Sequence, residues 1–205
     1  MNKVKDVVIK PLDKSIYLQP HTMHFTQNGL KRTWDLLEVH DSVAILLHNI
    51  QRNTLIFVKQ FRPPVYYGSI PEEDRKNEID VNKYPPDLGV TLELCAGLVD
   101  KDSSLVQIAK EEVLEECGYD VPLSSLIKIG SYRSGVGTLG SLQTAYYCEV
   151  RDEMKVTQGG GVGDEIIDVV EMTVPEVKEY VRQDKLPSPP SFLFAIYWFL
   201  LNKVK

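Results

Sequence analysis

Basic charge is the scarcer sign in this 205-residue chain: 23 Lys and Arg stand against 29 Asp and Glu, a formal net charge of −6 at pH 7. Such a balance gives no overall attraction to nucleic acid or to an anionic membrane, so neither is expected as a partner. A polyanionic ligand would need a local basic group or a bridging cation. Cysteine is scarce as well. Cys95, Cys117 and Cys148 are odd in number and widely spaced, which argues against a disulfide framework or a zinc knuckle and leads to the expectation of reduced thiols in a cytoplasmic protein. Long apolar runs are also missing. The longest, Phe192 to Leu201, falls well short of the ~20 residues that cross a bilayer and reads as a buried C-terminal helix. Residues 1–20 alternate charges such as Lys5, Asp6, Lys10 and Asp13 with short apolar pairs, and hold no block of signal-peptide length.

What is present suits a globular core, with 43% hydrophobic and 25% charged residues. No internal repeat is visible. Asn28-Gly29 separates the β-prone stretches Thr22–Thr26 and Lys31–Glu38, and an Asn-Gly pair supplies the positive φ angles of a tight hairpin. A second hairpin is expected from Ser42–Leu47 and Thr54–Gln60. Residues 63–90, with Pro63, Pro64, Pro71, Pro85 and Pro86, read as a long loop bordering a site. Val90–Cys95 reads as a strand running into Ala96-Gly97. Strands are expected at Leu126–Tyr132, Gln143–Val150 and Ile166–Thr173, and closing helices at Pro175–Arg182 and Ser191–Asn202. The pattern implies an α+β fold rather than regular β-α-β alternation, with a small N-terminal β unit (1–40) ahead of the main domain (41–205).

The period becomes helical from Ser104 to Glu116, with Ser104 and Gln107 spaced as a capping box and Gly118 where a helix C-terminus expects glycine. On this helix Glu112, Glu115 and Glu116 share an arc of roughly 100°. Leu105, Ala109, Val113 and Cys117 fill the neighbouring arc. Three like charges at these spacings repel, and the helix C-terminus disfavours them further. Two readings follow: a solvated acidic face, or a divalent cation held by hard oxygen ligands.

The stretch from Gly97 to Tyr119 resembles the Nudix box, matching it at Gly97, Glu112, Val113, Glu115, Glu116, Gly118 and Tyr119. Ser103 stands where the box has its first glutamate, and Glu111 where it has arginine. The resemblance implies an α/β/α sandwich with a mixed central sheet, and Mg²⁺, with Mn²⁺ as a substitute, held by the Ala96 carbonyl, Glu112 and Glu116. Glu115 would bind the ion or a water that it carries. Val58-Lys59-Gln60-Phe61-Arg62-Pro63 is similar to the segment before the box in the branch acting on ADP-ribose and nucleotide sugars, where the arginine meets the diphosphate. Lys31-Arg32-Thr33-Trp34-Asp35 is similar to that branch's N-terminal strand, whose tryptophan stacks on the base, often across a dimer.

From the residues alone, Arg62 also suits a surface ion pair and Trp34 an ordinary strand aromatic. Glu93-Leu94-Cys95-Ala96-Gly97-Leu98-Val99-Asp100 and Ser134-Gly135-Val136-Gly137 resemble the members of the branch that act on uridine diphosphate glucose. Gly163-Asp164-Glu165 is similar to the mobile loop that carries the branch's general base, and matches it at Glu165. The glycines before it would give that loop hinge freedom, while an exposed strand start explains Glu165 nearly as well. The activity implied is Mg²⁺-dependent hydrolysis of UDP-glucose to UMP and glucose 1-phosphate by a homodimer. The alternatives are ADP-ribose hydrolysis and, because of Ser103 and Glu111, a non-catalytic nucleotide-binding module.

Overall fold

The computed structural model describes residues 4–15, 18–76 and 78–204. Strands β1 (Gln19–Gln27) and β2 (Leu30–Glu38) form an antiparallel hairpin in register from Gln19↔Glu38 to Gln27↔Leu30. Its turn places Asn28 at φ 52 and Gly29 at φ 80, the left-handed pair that matches the twist of the two strands. The hairpin touches the rest of the chain through the Leu37 amide, which donates to the Thr138 carbonyl at 2.9 Å, and the Trp34 Nε1, which donates to the Gly137 carbonyl at 2.8 Å.

A second, mixed sheet forms the body. Strand β3 (Ser42–Asn49) runs parallel to β8 (Leu142–Val150) and antiparallel to β4 (Thr54–Phe61), and β7 (Leu126–Arg133) borders β8. The sheet's period-2 alternation divides its side chains between two cores. Val43, Ile45, Leu47, Ile56 and Val58 meet Ile108, Ala109, Val113 and Cys117 of α2 (Leu105–Cys117) on one face. Ala44, Leu46, Leu55 and Phe57 meet Val177 of α3 (Val174–Tyr180) and Phe192, Ala195, Ile196 and Phe199 of α4 (Pro190–Asn202) on the other. Helices on both faces of a mixed sheet make the expected α/β/α sandwich.

Four expectations change. Residues 63–90 are not one loop: Pro63–Ser69 is a helix, α1, with proline in its first turn, where a missing N–H costs nothing. Its Tyr66 packs with Ile70 and Ile79 in a small third core. The stretch after Val90 is two strands, because β5 (Val90–Glu93) pairs with β4 whereas β6 (Cys95–Leu98) crosses to pair with β3. The C-terminal helix is buried along one face only, with Tyr197 and Leu201 exposed. The capping box is half made: Ser104 accepts from the Gln107 amide, but the Gln107 side chain turns to Glu111.

Candidate active site

The crossing of β5 to β6 opens the site. At its start β3 pairs with β6, and at its end with β4, so β3 and β4 splay, and Glu93, Leu94 and Ala96 bridge the gap. A cleft of about 570 Å³ lies there, a size that takes a nucleotide-sized ligand. Its walls carry Ala96, Gly97, Glu112, Glu115, Glu116, Arg62 and Glu165, seven of the eight positions singled out in the sequence. The eighth, Trp34, lies on the hairpin outside this lining.

Helix α2 presents the glutamates, and its ends are fixed on both sides. Ser104 caps the start, and Gly118 at φ 79 ends it with its amide on the Leu114 carbonyl. The glycine run then folds back onto the helix: the Gly160 amide donates to the Glu116 carbonyl at 2.8 Å and the Gly161 amide to the Glu115 carbonyl at 3.1 Å. A Cβ at Gly159 would fall 2.2 Å from the Glu116 oxygen, so only glycine permits this approach. The structure adds to these glycines an anchoring contact beyond the expected hinge role. Gly160 and Gly161 anchor the loop to the helix terminus, satisfying carbonyls that would otherwise lack donors, and the Glu165 carboxylate closes the next turn by accepting from the Val162 amide at 3.0 Å.

Glu116 is almost completely buried, and its Oε2 accepts from the Ala96 amide at 2.9 Å. Burial, together with the charges of Glu112 and Glu165, pushes its carboxyl up to about 8, although bonds from Ala96 and the Cys95 thiol oppose the rise. Burial and the charge of Glu115 push Glu112 up to about 7. The acidic strip is thus not a solvated face, since the carboxylates that matter most turn into the cleft without enough positive charge to match them.

Among the described residues, no three His, Cys, Asp or Glu side chains form a ready-made metal cluster. The donors present are nevertheless all oxygen: the Glu112 and Glu116 carboxylates, adjacent Glu115, and the backbone of Ala96. Under-compensated carboxylates of this kind suit a hard divalent cation completed by water and substrate oxygens.

Two residues without a role in the sequence reading also line the cleft. Glu93, buried on β5, takes the Arg62 guanidinium in a fork, Nε to Oε1 at 2.8 Å and Nη2 to Oε2 at 2.7 Å, and also accepts from Thr91 at 2.6 Å. Burial alone would raise the Glu93 carboxyl, yet the bonds from Arg62 and Thr91 hold it below the ordinary carboxylate range. Arg62 is raised in turn by its bond to Glu93. A carboxylate inside the apolar run Val90–Leu94 was the available signal, because such a charge requires a partner. The second residue, Lys101, lines the cleft and donates to Glu111 Oε2 at 3.3 Å.

This fold and this box of glutamates define a class, and the comparisons agree: the chain belongs to the Nudix hydrolase family. It is 39% identical to the uridine diphosphate glucose pyrophosphatase NUDT14 of Bos taurus over 97% of this chain and 95% of that protein. It is 30% identical to the GDP-mannose pyrophosphatase of Salmonella arizonae over 95% of this chain and 92% of that one. No protein-family model matches. The fold is similar to the crystal structure of an ADP compounds hydrolase, with a TM-score of 0.64 and 12% identity over 100% of both chains.

Proposed function

We propose that the chain hydrolyses nucleoside diphosphate sugars at the diphosphate, taking UDP-glucose and water to UMP and glucose 1-phosphate. The observation that carries this reading is the meeting of Glu112, Glu115, Glu116, Glu165 and Arg62 around one cleft, in a chain similar over nearly its full length to a protein named for that substrate.

Glu112, Glu116 and the Ala96 carbonyl would hold Mg²⁺, or Mn²⁺ in its place. When bound, the ion neutralises charge on the diphosphate and acts as a Lewis acid. Arg62, its fork fixed by Glu93, keeps its remaining N–H groups for phosphate oxygens and supplies charge that needs no rearrangement during reaction. Glu165, on the loop across the cleft from the strands, takes the proton of the attacking water, and Glu115 holds that water in line. A protein of net charge −6 thereby accepts a polyanion.

Residues 1–40 would form the dimerisation unit. A two-stranded hairpin is marginal alone in water, and this one leaves Met23, Leu30 and Trp34 exposed. A partner subunit covering it would bring Trp34 towards a base. Its three cysteines are free and buried, which favours the reducing cytoplasm. No helix among the described residues is long and apolar enough to cross a membrane, and the charge balance favours no nucleic-acid or membrane partner.

Turnover of UDP-glucose and ADP-ribose at equal Mg²⁺, with Glu116→Gln as control, tests the reading. A strong preference for ADP-ribose overturns the substrate. Absence of turnover on either makes the protein a binding module. A solution mass near 23.3 kDa removes the dimer.

A further inference from the structure

The cleft is crowded with one sign of charge. Glu93, Asp100, Glu112, Glu115, Glu116 and Glu165 line it, and among the described lining residues the cations are Arg62 and Lys101. Arg62 commits two of its nitrogens to Glu93. Lys101 differs. It lies in the turn between β6 and α2, and its ammonium donates one bond, to Glu111 Oε2 at 3.3 Å. Glu111 does not line the cleft; its other oxygen accepts from Gln107 Nε2 at 3.0 Å, one turn back on α2.

The chain Gln107, Glu111, Lys101 thus braces a flexible side chain at the mouth of the site. Stability does not explain the arrangement, because both members of the pair are substantially exposed, the Lys101 side chain by 51%, and such pairs contribute little to folding. A braced ammonium with two N–H groups unspent is instead suited to an anion that arrives already oriented, since less side-chain freedom is lost on binding. Glu112 and Glu115 lie near enough for their charges to act on Lys101.

We infer that Lys101, tethered by Glu111, is a second binding cation for the diphosphate of the substrate, sharing the cleft lining with Arg62. The inference rests on the diphosphate reading above. It also accounts for Glu111 on a helix already rich in carboxylates: Glu111 serves the lysine rather than a metal.

The test measures KM and kcat for UDP-glucose in the full-length protein and in Lys101→Met, Lys101→Arg and Glu111→Gln, with binding of a methylene-bridged UDP-glucose analogue followed by calorimetry. Lys101→Met is expected to raise KM and the analogue's Kd about tenfold, the scale of one charge-assisted hydrogen bond. Its kcat should stay within about twofold and its Mg²⁺ requirement unchanged. Lys101→Arg should restore binding, and Glu111→Gln should raise KM by about threefold through loss of the brace alone. An unchanged KM in Lys101→Met overturns the inference, as does a raised Mg²⁺ requirement with KM unchanged, which would assign Lys101 to the carboxylates. Failure of the diphosphate reading has a separate signature, a wild-type protein that turns over no nucleoside diphosphate sugar and does not bind the analogue.

Discussion

Glu112 occupies the space that a side chain at Gly97 would need: a Cβ built on Gly97 lies 2.0 Å from the Glu112 Cδ and Oε1. The glycine of the box is therefore a seat for a carboxylate, linking β6 to α2 at the point where the ion is proposed to bind. Because the clash is with the end of a mobile side chain, Gly97→Ala should fold with a loss of about 1 kcal/mol. Activity should drop at least about 100-fold as Glu112 is displaced. Urea unfolding and steady-state kinetics on the same sample check both parts; a fully active Gly97→Ala protein removes the seat.

The two raised carboxyls make stability depend on metal and pH together. Ionising a group whose folded-state value exceeds its unfolded one weakens the fold. The metal-free protein should thus lose stability as pH rises from the usual carboxylate range near 4.5 through about 7 for Glu112 and about 8 for Glu116. Mg²⁺ held by these carboxylates would reverse that loss. Its addition should raise Tm more at about pH 8.5 than at about pH 6, and its binding near neutrality should release protons, measurable by calorimetry in buffers of different ionisation enthalpy. Equal Tm shifts at both pH values would contradict the site.

Arg62 and Glu93 separate stability from function. Arg62→Ala strands a buried carboxylate that water reaches only in part, a cost of about 1–3 kcal/mol. Arg62→Met combined with Glu93→Leu should recover most of that stability and none of the activity, because the proposed phosphate donor stays absent. Recovery of activity in the double variant would show that the fork serves the fold alone.

Glu165→Gln keeps the size and the hydrogen bond to Val162 but cannot take a proton. It should lower kcat by about 10²–10⁴ while KM and Tm hold. A KM effect without a kcat effect would move Glu165 from the chemistry to binding.

Elements marked by local chemistry were legible in the sequence, and those made by distant contacts were not. Asn28-Gly29 and Gly118 announce positive φ, and Ser104 announces a helix start, so α2 is readable to within a residue and the hairpin turn is placed, although its first strand begins three residues before Thr22, at Gln19. Pro63 and Pro64 misled, because proline that breaks a helix interior also begins one. The break at Leu94 escaped notice, since nothing in the run Val90–Cys95 says that its halves pair with different strands. The cleft's acidic side was legible through one helix and one glycine. On its basic side Arg62 was legible through the resemblance of Val58–Pro63, but its holder Glu93, 31 residues further along the chain, was not. Lys101 carries no periodic signature in the turn before α2. The glycine run was visible, but its bonds to Glu115 and Glu116 belong to the folded chain alone.

Those bonds tie one end of the Glu165 segment to the helix, and the pairing of Ile167 with Gln60 ties the other end to the strand that leads to Arg62. Glu165 therefore sits in a short span, residues 162–166, held at both ends. As the proposed base, Glu165 would have its reach set by that span, so a ligand that settles too shallow in the cleft would not meet it. Binding depth would then gauge fit, and water in an empty cleft would be left unactivated.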